Sequence, residues 1–152
     1  MAAISLRFGS PVHGWLDVEL SGDGAAMARS VSDVPGDSLA MLADAACDIV
    51  SGYPAREVAW FLEPDEDRWS FRLEDGRVTV LVRSDRDVAI LVGVEDPVAL
   101  GWTVWRALRR LQADDAWQGA PERVWSHPFP HRSVDRLHEL LEATNRLPRS
   151  SI

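Results

Sequence analysis

The chain has 152 residues, with 16 Arg and no Lys against 24 Asp and Glu, a formal charge of −8 at pH 7. That length suits one domain with a proper core, and a 46% hydrophobic, 26% charged composition is globular rather than disordered. One Cys excludes an internal disulfide framework, no apolar run nears the roughly 18 residues that span a bilayer, and an acidic balance disfavours nucleic acid and anionic membrane.

The first eleven residues, MAAISLRFGSP, lack the basic and long apolar regions of a signal peptide. Trp15 to Leu20 alternate: Leu16, Val18 and Leu20 point one way, Trp15, Asp17 and Glu19 the other. That pattern predicts a half-buried strand. The turn signal Ser21–Gly24 returns the chain as a second strand over Ala25–Val31, whose register stays open because Arg29 fits poorly on an apolar face. Asp37 caps a predicted helix in which Leu39, Leu42, Ala46 and Ile49 recur at helical spacing until Gly52 and Pro54.

Next comes FLEPDEDRWSF (61–71), with Glu63, Asp65, Glu66 and Asp67 between Trp60 and Trp69. A four-residue loop from Pro64 to Asp67 would pair Glu63 with Arg68, Leu62 with Trp69, Trp60 with Phe71 and Val58 with Leu73. Asp75-Gly76 signals a two-residue hairpin pairing Leu73 with Val78, Phe71 with Val80 and Trp69 with Val82. Ser84–Asp87 then turns into a strand over Val88–Gly93, completing a four-strand meander. Its second face would carry Phe61, Leu81, Val88, Ile90 and Val92, too apolar to stay uncovered.

Asp96-Pro97 starts a second helix with Val98, Trp102, Trp105 and Leu108 as its stripe. Residues 113–130 read as an irregular Trp- and Pro-containing arm, and a last helix runs from about 133 to 145, followed by a frayed tail. The expected architecture is a single α+β domain over 1–152: an antiparallel sheet of about six strands, ordered ββ-α-ββββ-α-α, with helices packed on it.

The candidate chemistry is sparse. The carboxylates at 63–67 sit at a predicted hairpin tip, where water denies them the desolvation that catalytic acids need; they also lack the ligand pattern of a calcium loop. They suit a docking surface for a basic partner better, because residues 1–76 hold five Arg against fourteen Asp and Glu. Trp15, exposed beside Asp17 and Glu19, would add an aromatic anchor. His131, Asp135 and His138 at i, i+4 and i+7 would share one helix face and offer metal ligands. Cys47 follows Ala46 in the buried helix and reads as packing rather than as a nucleophile.

The stretches HGWLDVEL (13–20), SDVPGDSLAML (32–42) and EPDEDRWSFRL (63–73) together resemble a family of small, mostly actinobacterial proteins without an assigned function. The likeness spans residues 12–92 and implies no activity. The architecture is also similar to that of small immunity proteins paired with bacterial toxins, an analogy of fold type.

The expected function is a cytoplasmic, non-catalytic protein-binding module, an immunity- or antitoxin-like inhibitor of a basic partner. Trp15, Asp17, Glu19, Asp65, Glu66 and Asp67 would form its surface. A small-molecule-binding or accessory protein of a biosynthetic pathway would instead use His13, Trp117 and Trp125 between sheet and arm. A metal-dependent enzyme would use His131, Asp135 and His138. No cofactor is implied, neither nucleic acid nor membrane is an expected partner, and the apolar second face would suit a homodimer.

Overall fold

The turn signals organise seven strands rather than six. In the computed structural model, which describes residues 4–84 and 88–146, the chain opens with β1 (Ile4–Phe8), where Ile4 and Leu6 are buried and Ser5 and Arg7 exposed. β2 (Trp15–Gly22) alternates as expected, and β3 (Ala26–Ser32) pairs with it antiparallel. After helix α1 (Ser38–Val50) come β4 (Ala55–Phe61), β5 (Glu66–Glu74), β6 (Arg77–Ser84) and β7 (Ala89–Glu95). All seven form one antiparallel sheet in sequence order, joined by short connections except between β3 and β4, where α1 intervenes.

The β5–β6 hairpin has the expected register, with Trp69, Phe71 and Leu73 opposite Val82, Val80 and Val78. Asp75 and Gly76 both take positive φ (52° and 73°), as a primed two-residue turn requires. The β4–β5 register differs by four residues from expectation: Val58 faces Trp69 rather than Leu73, Trp60 faces Asp67 rather than Phe71, and Phe61 faces Glu66. The turn is Leu62–Asp65, closed by the Leu62 N–H donating to Asp65 O at 2.7 Å, so Glu66 and Asp67 belong to the strand. An even shift preserves parity, and Val58, Trp60, Trp69 and Phe71 still share the buried face.

β7 departs from expectation through a bulge. Val80 pairs with Gly93 but Leu81 pairs with Leu91, leaving Val92 as the extra residue. Val92 therefore returns to the core, and Ile90, opposite Val82, also takes the core side. The exposed apolar residues here are Val88 and Leu91. Most of the expected Ser84–Asp87 turn, and the tail beyond residue 146, lie outside the described residues. At the bulge the Gly24 N–H donates to Val92 O at 2.9 Å, and the Ile4 N–H donates to the Glu95 carboxylate at 3.3 Å. Both bonds curl the last strand round toward the first hairpin. β3 and β4 share only one residue pair, Ser32 with Phe61.

Helices cover the concave, apolar side. Asp37 caps α1 by accepting from the Ala40 N–H, and Asp96 caps α2 (Pro97–Gln112) by accepting from Ala99, with Pro97 in the first turn. The buried stripe of α2 is Leu100, Val104, Leu108 and Leu111, rotated from the expected one. Trp102 and Trp105 lie beside it and pack on His138 of α5 (His131–Arg146), which starts two residues before the expected boundary. α1, α2 and α5 contact one another and form the layer over β1, β4, β5 and β6.

The arm is ordered rather than irregular. It holds two short helices, α3 (Asp115–Gly119) and α4 (Pro121–Val124), and buries Trp117, Trp125 and Phe129 against its own domain. Trp117 packs edge-on to Phe129 at 5.3 Å and lies 6.4 Å from Trp125. Asp33 fastens the arm to the end of β3: its carboxylate accepts from the Ser126 N–H at 2.7 Å, and its carbonyl accepts from His127 Nε2.

Candidate functional site

The described helices that contact the sheet form the layer on its inner side, and the side chains of the outer, convex side follow from strand parity. On β2, Leu16, Val18 and Leu20 turn inward, so Trp15, Asp17 and Glu19 turn outward; Trp15 is 39% exposed and both carboxylates are exposed. Cross-strand pairing extends Trp15 into a row: Trp15 opposite Ser32, Ser32 opposite Phe61, Phe61 opposite Glu66. Ser32, between the two aromatic residues, is 2% exposed, and its hydroxyl accepts from the Val34 N–H.

At the Phe61 end of this row two turns flank a groove of about 550 Å³. One turn supplies Val34 and Pro35, the other Glu63, Pro64 and Asp65, and Phe61 lies between them. Val34 is 44% exposed, although it is a large apolar residue. The Val34–Pro35 and Glu63–Pro64 bonds are both cis. Among the described residues no ion pair reaches Asp17, Glu19, Glu63 or Asp65, whereas Glu66 lies 3.6 Å from Arg68.

Asp67 does not belong to this surface, contrary to expectation. One residue past Glu66, it faces the core at 2% exposure, and its Oδ2 lies 3.1 Å from Arg29 Nε. Strand alternation is the cause: with the turn at Leu62–Asp65, odd positions of β5 point inward. Five of the six residues expected for partner binding thus remain on the outer side. Val34, Pro35 and Phe61 were not anticipated as site residues. The signals for them were the odd parity of Phe61 relative to Trp60 and the prolines that break the chain on either side.

His13, Trp117 and Trp125 do not line an open ligand cavity. Trp117 and Trp125 are 4% and 2% exposed, and the Trp125 Nε1–H points to the Asp37 carboxylate at 3.4 Å. His13 is exposed, with φ of 49°. The indoles are the packing that docks the arm.

His131, Asp135 and His138 are likewise not gathered round a metal position. Among the described residues no group of three or more His, Cys, Asp or Glu is placed to hold an ion. His131 Nδ1 accepts from Gln112 Nε2 at 2.8 Å, while His138 stacks on Trp105 and lies 3.3 Å from Glu142. Cys47 is buried in α1 with its thiol 3.4 Å from Ser133 O. Burial pushes that thiol up to about 11; nearby Asp44 and Asp48 add to the rise and Arg136 opposes it. A thiol held neutral is not a nucleophile.

Compared with known proteins, the chain matches no family model, no curated protein and no solved structure. Among the described residues no helix is long and apolar enough to cross a membrane.

Proposed function

We propose that the protein is a non-catalytic binding module, an immunity- or antitoxin-like inhibitor whose convex face docks on a basic partner in the cytoplasm. The observation that carries this reading is the set of four outward carboxylates, Asp17, Glu19, Glu63 and Asp65, which form no ion pair among the described residues and adjoin exposed Trp15 and Val34. Unpaired charge beside an aromatic anchor favours a cationic surface, steering encounter and adding buried contact. The single buried thiol fits a reducing compartment. The small-molecule alternative has less support, because the indoles it needs are core.

The test is co-purification from the source cells at low and high salt, with wild type and an Asp17→Arg/Glu19→Arg variant. A basic protein retained only by wild type, and released by salt, supports the reading. Recovery of the same proteins by both sinks it. The homodimer expected on the face of Phe61, Leu81, Val88, Ile90 and Val92 loses Ile90 and Val92 to the core side, so a second copy would meet Leu81, Val88 and Leu91 instead. Light scattering of wild type against Leu91→Asp tests that separately.

A further inference from the structure

We infer that the groove between the two proline turns captures an arginine side chain presented on a loop of the partner. The inference rests on the basic-partner reading and specifies its chemistry. Three properties of the groove select the ligand together.

The first is its apolar lining. Val34, Pro35 and Pro64 leave carbon surface facing a half-buried Phe61 ring. That ring is held from behind: a Cβ added at Gly36 would lie only 3.1 Å from Phe61 Cε2. The second is the rim. Glu63 and Asp65 are exposed and form no ion pair among the described residues, and the Leu62–Asp65 hydrogen bond of 2.7 Å closes the turn that carries them. The third is size, since about 550 Å³ exceeds one side chain and leaves room for the backbone that presents it.

Arginine satisfies all three. Its methylene stem covers apolar wall while its head stays at the polar rim. The guanidinium plane stacks on an aromatic ring, and its fork of donors meets carboxylates two at a time. Lysine offers the stem and a charge but neither plane nor fork. A neutral ligand would gain nothing from the two hydrated carboxylates, and an anionic one would be repelled by them. The Trp15–Ser32–Phe61 row continues the surface away from the groove, so residues flanking the captured arginine would meet Trp15.

The experiment uses a fluorescein-labelled hexa-arginine peptide, followed by anisotropy at low ionic strength, with hexalysine and hexacitrulline peptides for comparison. The variants are Glu63→Gln/Asp65→Asn, Val34→Ser and Asp17→Asn/Glu19→Gln. All substitute exposed residues, and circular dichroism verifies folding. Hexa-arginine is expected to bind more tightly than hexalysine, and hexacitrulline not at all. The Glu63/Asp65 variant should weaken binding about tenfold or more, the scale of lost charge-assisted bonds. Val34→Ser should weaken it less, and the Asp17/Glu19 variant by no more than about twofold, since screened surface charge contributes little. Salt-sensitive binding that all the variants reduce equally, or that prefers lysine, overturns the groove and leaves the acidic-face reading standing. No binding of either cationic peptide overturns both.

Discussion

Arg29 Nε on β3 and Asp67 Oδ2 on β5 meet at 3.1 Å on the concave side of the sheet, across the intervening strand β4. The two are unequal partners: the arginine side chain keeps 42% of its surface, the aspartate only 3%. A buried carboxylate needs compensation, whereas an exposed guanidinium can turn to water.

Arg29→Ala is therefore expected to cost more than Asp67→Asn. Removing the guanidinium takes one partner from a buried carboxylate, at a cost of about 1–3 kcal/mol, reduced here by the exposure of the arginine end. Urea unfolding of both single variants and the double variant measures this. The double should lose less than the sum of the singles, as for residues in direct contact. Equal single costs would show that the pair is no more than a surface contact.

The Cys47 thiol gives a pH dependence of definite sign. Folded, it keeps its proton up to about 11; its ordinary value is 9.0. The folded state thus binds the proton more tightly, and stability is undiminished below about pH 9 and falls as pH rises toward 11. The loss is on the order of 2–3 kcal/mol. Comparing wild type with Cys47→Ala isolates it, because other groups titrating there are common to both. At neutral pH a disulfide reagent should label Cys47 only after unfolding.

Gly24→Ala should destabilise through backbone overlap. An added Cβ would sit 2.4 Å from Leu91 O and 3.1 Å from Val92 O, at the bond that curls β7 toward the first hairpin. Main-chain atoms yield less than side chains, so a cost at or above the usual 1–3 kcal/mol for overpacking is expected, roughly. Thermal unfolding reads it. An unchanged midpoint would mean that the Gly24–Val92 contact opens freely.

Asp33→Ala should release the arm without unfolding the sheet. It removes the acceptor for Ser126 N–H, a bond to a charged group of the kind that contributes about 1.5–3 kcal/mol. Amide exchange is expected to accelerate across residues 115–129 before it does in β5 and β6. Uniform acceleration would contradict a separately docked arm.

What was legible in the chain was whatever neighbours in sequence could decide. The β5–β6 register follows from Asp75-Gly76, and the caps at Asp37 and Asp96 from residues within three positions. Pro64 obscured the β4–β5 turn: it reads as the first loop residue, yet it lies inside a turn that starts at Leu62. β1 has only five residues, too few for periodicity to stand out. Arg29 looked misplaced and Asp67 looked solvated for one reason. Each is explained by the other, 38 positions away, and no local pattern joins them. The bulge at Val92 and the docking of Trp125 are likewise tertiary choices. The acidic surface was legible because alternation on β2 is local; the groove was not, since it needs Val34 and Phe61 side by side.

The lone Ser32–Phe61 pair has a mechanical consequence. One rung transmits little shear, so the front hairpin and the rear meander are held in common by other links: α2 spans from β1 to β6, Gly24 and Ile4 bond to β7, and Arg29 meets Asp67. The groove sits directly above that rung. Any molecule seated there would rivet the two halves on the side opposite the helix layer.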